Sequence, residues 1–143
     1  MSEQALAQEW FVSARSDYRY AQLGLKQRWV FPQVAFLAQQ VAEKYLKGFL
    51  ALNGLEPPRI HDLPKLLGEC VRIAPELKEL QDACELLTGL YVEARYPPDI
   101  PDYTKEDLAS AFEQAKQVRD LIEGILKRKR DSASDGLAGL QDR

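Results

Sequence analysis

The sequence predicts an all-α protein, an up-and-down bundle of four or five helices. Three observations predict it. Apolar residues recur every three or four positions from residue 4 to about 128, the period of one helix face. No segment alternates apolar and polar residues as a half-buried strand would, and the β-branched residues fall on the helical stripes. The breaks between stripes are short and carry Pro, Gly or Asn, and short connections favour antiparallel neighbours.

The first helix spans 4–27, on the steps Trp10, Ala14, Tyr18, Ala21 and Leu25; Gly24 weakens its last turn. Pro32 suits a first helical turn and opens the second helix, 31–53. Val34, Ala38, Val41, Tyr45, Phe49 and Leu52 line one face, and Phe36, Leu37, Leu46 and Leu50 broaden it, so this helix is expected to be the most buried. Asn53-Gly54 ends it, because glycine takes the left-handed cap conformation freely. Asp62 is the N-cap of a third helix, 63–73, whose inner face carries Leu63, Leu66, Leu67, Cys70 and Val71. Pro75 stops that helix and opens the fourth, which runs to Ala94 on Leu77, Leu80, Cys84, Leu87, Tyr91 and Ala94. The stretch RYPPDIPDY breaks the pattern. Thr104 and Asp107 form a capping box, and Leu108, Ala111, Ala115, Val118, Ile122 and Ile125 carry the fifth helix to 128. One domain, 1–128, is expected, followed by a polar tail, 129–143, that is disordered or a loose final helix.

Composition bounds the function. With 45% hydrophobic and 29% charged residues, the chain is ordinary for a globular domain, and at 143 residues it is small enough to gain from dimerising. The net charge of −3, from 19 basic and 22 acidic residues, does not point to nucleic acid without a local basic patch. Cys70 and Cys84 fall on apolar faces and read as buried, reduced thiols; with one histidine they do not make a zinc set. No metal and no cofactor is expected. The N-terminus lacks the basic and apolar regions of a signal peptide, and no apolar run is long enough for a membrane span, so the expected setting is cytoplasmic.

Alternating helix directions would bring the polar residues to one end. The C-termini of helices two and four would then meet the N-termini of helices three and five, so that Lys47, His61, Asp62, Arg95 and Tyr96 converge there. Gln40, Glu43, Lys44 and Lys47 make a polar stripe on an otherwise apolar helix. Such a donor-rich edge beside a helix N-terminus suits a phosphate, although Asp62 competes for the same donors. A plainer reading stands beside each residue. Glu43 and Lys47 make a surface pair one turn apart, Arg95 covers the carbonyls of a helix end, and His61 bonds locally ahead of its cap. The basic run Lys127–Arg130 suits the C-terminal end of a helix, or else RNA.

The segment AFLAQQVAEKYLKGFLALNGLEPPRIHDL, followed by EARYPPD and YTKEDLASAFEQAK, resembles the HEPN domain family over residues 5–128. The resemblance implies an all-α bundle that dimerises through its long helices. It also implies roles in prokaryotic toxin–antitoxin or defence systems, often beside a minimal nucleotidyltransferase partner. The family has been viewed as nucleotide-binding, and many members are metal-independent ribonucleases that carry Arg, four to six residues, then His. This sequence departs from that motif. Its only histidine follows Arg59 by two positions, and Arg95 is followed by no histidine.

Three functions follow from these readings. One is a non-catalytic protein that binds a nucleotide or a nucleotidyltransferase partner, with Gln40, Glu43, Lys44, Lys47, His61, Asp62, Arg95 and Tyr96 as its candidate ligand-binding residues. Another is a metal-independent ribonuclease using His61 and Arg95, with RNA as its partner. The third is a structural helical module. A homodimer is expected because Trp10, Phe11, Val12, Tyr18, Tyr20 and Leu23 crowd the first helix, more apolar surface than one small bundle covers.

Overall fold

The computed structural model describes residues 2–94 and 102–141. Its elements are α1 (Glu3–Leu25), α2 (Gln33–Leu52), α3 (Leu63–Ile73), a 3-10 helix (Pro75–Leu80), α4 (Gln81–Ala94) and α5 (Lys105–Gln141). Among the described residues there is no strand, so the all-α bundle expected from the periodicity is what the chain adopts.

Local chemistry sets the helix starts. Asp62 accepts from the Lys65 amide at 3.1 Å, as an N-cap does. Thr104 and Asp107 satisfy each other's amides reciprocally, at 2.9 and 3.1 Å. Pro75 begins a 3-10 turn before α4 proper starts at Gln81. Gly54 ends α2 at φ +80°, in the left-handed region.

The long helices pack as an up-and-down four-helix bundle. α1 and α2 are antiparallel, with Phe11 against Tyr45 and Gly24 against Val34. α5 lies against both, antiparallel to α1 and parallel to α2. Arg15 reaches Glu123 and Lys105 reaches the end of α1, while Tyr45 bonds Glu123 and Val34 packs with Leu108. α2 is the centre, with Val41, Ala42, Tyr45 and Leu46 fully buried. Each large buried apolar side chain there contributes roughly 1.5–3 kcal/mol. Val41 and Leu87 are both sealed off from solvent, and with Cys84 they place the inner faces of α2 and α4 where the periodicity puts them; the side chains of Tyr91 and Ala94 lie outside the described residues. Phe36 is an exception on α2 and is exposed. On α1 the inner stripe is Ala7, Phe11, Ala14, Tyr18 and Ala21, leaving Trp10 half-buried at its edge. Both cysteines are free and buried.

Two boundaries differ from the sequence reading. α5 does not stop near 128 but continues to Gln141, with residues 127–136 exposed; helix propagation past the core needs no apolar face once the preceding turns are fixed. The other difference is α3. Between His61 and Cys70 the chain advances along α2 only from Glu43 to Leu46, so α3 lies across α2 rather than taking a place in the up-and-down order. The reason is the ten-residue connector 53–62, which folds back along α2 instead of turning tightly at its end. α4 therefore returns antiparallel to α2, and its C-terminal end packs by Tyr103 and Val34 near the start of α2. The expected meeting of the α2 and α4 C-termini does not occur.

Candidate functional site

The folding back of the connector brings His61 to the middle of α2. Three polar side chains on that helix, Gln39, Glu43 and Lys47, are buried among apolar neighbours, with Glu43 4% and Lys47 6% exposed. They stand one turn apart and form a single inward row. Glu43 is the hub. Its Oε1 accepts from Gln39 Nε2 at 3.2 Å and lies 2.9 Å from His61 Nδ1. Its Oε2 accepts from Lys47 Nζ at 3.3 Å. Gln39 also donates to the His61 carbonyl at 3.4 Å and accepts from Gln40 at 2.8 Å. The Lys47 ammonium lies 5.6 Å from the centre of the Trp10 ring, which closes the row from the α1 side.

Burying a carboxylate is costly unless it is paired and hydrogen-bonded. Here Lys47 supplies the charge and Gln39 the remaining bond. The surface-pair reading of Glu43 and Lys47 is therefore wrong: burial excludes the solvent screening that makes such pairs weak. Because a carboxylate only accepts, the imidazole must carry a proton on Nδ1 and donate it to Glu43. That leaves Nε2 facing outward, on a side chain that is 59% exposed. Among the described residues Nε2 has no partner. The arrangement holds one imidazole edge rigidly and offers the other outward.

The remaining candidates separate. Gln40 touches the row through Gln39. Lys44 turns to α1 and pairs with Asp17 at 2.6 Å, because a residue next to Glu43 points about 100° around the helix. Asp62 is spent as the α3 cap, Leu66 donates to the Asp62 carbonyl, and Pro64 has no amide. The α3 N-terminus thus has few donors left for a phosphate, and the expected competition falls to Asp62. Arg95 and Tyr96 lie outside the described residues. Gln39 was absent from the sequence reading. Its signal was that Gln39, Glu43 and Lys47 follow one another at steps of four, a polar row on the apolar side.

A second polar cluster joins α1, α2 and α5. Arg15 grips both oxygens of Glu123 at 2.7 and 3.2 Å, and the Tyr45 hydroxyl donates to Oε1 at 2.7 Å. Burial, and then the bond to Glu123, pushes the Tyr45 phenol well above its ordinary value. Burial alone would raise the Glu123 carboxyl, but the bonds from Arg15 and Tyr45 outweigh it and hold it low. The bond to Glu123 likewise raises the Arg15 guanidinium. Every strong group in this cluster is satisfied, so it is a lock between helices rather than a site.

Among the described residues no group of acidic, histidine or cysteine side chains is placed to hold a metal ion, and no helix is long and apolar enough to cross a membrane. Comparison with curated proteins and with solved structures finds no match. The HEPN domain profile matches residues 7–125, from the first buried residue of α1 to the last turns of the core in α5. The chain belongs to the HEPN domain family.

Proposed function

We propose that this chain is a non-catalytic HEPN protein that binds a nucleotide or a partner nucleotidyltransferase through the surface around His61. The observation that carries the reading is the pairing of an exposed imidazole with a buried carboxylate. A buried row of Gln39, Glu43 and Lys47 adds little to stability that apolar residues would not supply, whereas it fixes the tautomer and direction of one outward-facing ring. Arg59, two positions away and exposed, adds a guanidinium suited to phosphate or carboxylate. The motif of the family's ribonucleases is missing from the sequence, which favours binding over cleavage.

The working form in this reading is a cytoplasmic homodimer within a toxin–antitoxin or defence pair. Val12 and Tyr20 on the outer side of α1 are 60% and 62% exposed, and Leu23 and Trp29 continue that apolar surface. Surfaces of this kind usually mark interfaces.

Thermal unfolding with nucleotides tests the reading. A nucleotide at about 100 times its Kd stabilises the protein by about 2.7 kcal/mol, and His61→Ala abolishes the gain while its own melting temperature stays near that of the wild type. No gain with any nucleotide, and no complex with a nucleotidyltransferase, would leave a structural module. A second reading has one observation in its favour: a histidine oriented by a carboxylate is also the geometry of a general base. Cleavage of RNA by the purified protein, lost in His61→Ala, would replace the binding reading with that one.

A further inference from the structure

The basic run Lys127–Arg130 does not end a helix. α5 continues to Gln141, and the helix dipole acts only within the last turn, so the dipole gives no account of this charge. Arg128 turns to Glu76, at 3.0 Å. Lys129 and Arg130 instead share a stripe with Leu126 and Ala133, at the three- and four-residue steps of one helix face. That stripe faces Gln4 and Gln8 on α1, and together they bound an open groove of about 440 Å³.

The groove has an apolar floor and a cationic rim. Leu52 and Leu126 form the floor. On the rim, Lys129 Nζ lies 3.3 Å from Asn53 Oδ1 and 5.7 Å from the centre of the Phe49 ring, and no carboxylate pairs with it or with Arg130 among the described residues. Arg15, at the inner end, is already held by Glu123. The positive charge of the rim is therefore that of Lys129 and Arg130, with the Glu3 carboxylate beside Gly54, the residue after Asn53.

We infer that this groove receives an acidic amphipathic helix from a partner protein. A cleft between two helices, with an apolar floor, is the shape into which a third helix lays its apolar face. Carboxylates flanking that face meet Lys129 and Arg130, the two rim cations without an acidic partner. A single nucleic-acid strand fits less well. Such strands are held by stacking on aromatic faces, and no aromatic side chain is among the described residues that line this groove.

The test uses the full chain and a labelled synthetic helix of Glu, Ala and Leu with its leucines on one face. A scrambled peptide of the same composition is the control. The leucine-faced peptide binds, salt weakens it, and the scrambled peptide binds about tenfold more weakly. Lys129→Glu with Arg130→Glu weakens binding by about tenfold or more, whereas His61→Ala leaves it unchanged. Both rim residues are exposed, so helicity by circular dichroism stays at the wild-type level; Ala133→Glu, at the same rim, must give the same loss. The inference is overturned if the two peptides bind alike or if the charge-reversed protein binds as the wild type does. It is also overturned if an oligouridylate displaces the peptide, or if charge reversal dissociates a homodimer, which would make the occupant a second copy.

Discussion

His61 Nδ1 lies 2.9 Å from Glu43 Oε1, and this contact, with the bond from Gln39 to the His61 carbonyl, ties the connector 53–62 to the middle of the central helix. Its two sides carry different energetic weight. Glu43 and Lys47 are buried, whereas the imidazole is open to solvent.

Removing Lys47 therefore strands a carboxylate in the core. Lys47→Ala is expected to lower stability by about 3–5 kcal/mol, whereas replacing Glu43 and Lys47 together with Leu and Met recovers most of that loss. His61→Ala costs only about 1 kcal/mol, one hydrogen bond at an exposed position. Urea unfolding of the four proteins checks the order. Equal losses for Lys47→Ala and His61→Ala would show that the row is not held as a buried unit.

The Arg15–Glu123–Tyr45 lock sets the acid limb of stability. The Glu123 carboxyl is held below its ordinary value in the folded state. Its contribution is complete above the unfolded value, near 4.5, and is lost as pH falls through the lower folded value. Tyr45→Phe removes a bond to a charged group, at a cost of about 1.5–3 kcal/mol at neutral pH. Unfolding midpoints measured from about pH 7 down to about pH 3 should fall less steeply in that variant than in the wild type.

The thiols set the alkaline limb. Burial, with Cys84 and Glu69 nearby, pushes the Cys70 thiol up to about 12, and burial, with Glu85, does the same for Cys84. The unfolded chain ionises these thiols from about 9. Between those values the folded state retains protons that the unfolded state has lost, so stability falls as pH rises. Tyr45, raised chiefly by burial, adds to the fall above its ordinary value of 10.0. Replacing both cysteines with Ala lowers stability at neutral pH through small cavities but flattens the profile above pH 9. An unchanged slope would contradict the assignment.

Gly48 is where α1 crosses α2. A Cβ there would stand 2.6 Å from a ring carbon of Phe11 and 3.0 Å from the Trp10 Cβ. Phe11 is completely buried and has no room to retreat. Gly48→Ala is therefore expected to destabilise by about 1–3 kcal/mol through overpacking, against the gain of up to ~1 kcal/mol that alanine brings inside an exposed helix. A chemical melt settles the sign.

What the sequence by itself determined is the local and periodic layer of this protein. The caps at Asp62 and Thr104 were legible because each rests on a bond across three residues of chain. The inner faces of α2, α4 and α5 were legible because a helix repeats its face every 3.6 residues whatever it packs against. The inward row was half legible: Glu43, Lys47 and His61 stood out as polar residues, but Gln39 did not, and Lys44 was drawn in with them. Only the tertiary structure decided that the connector folds back along α2, that α3 lies across it, and that Lys129 and Arg130 of α5 border a groove with α1 while Arg128 turns to Glu76. It alone decided the pairing of Arg15 with Glu123, 108 residues away, and the need for glycine at position 48. These are contacts between segments distant in the chain. Which of them form depends on the path of the ten residues 53–62 and on how closely two helices approach, and neither has a period or a neighbouring residue to announce it.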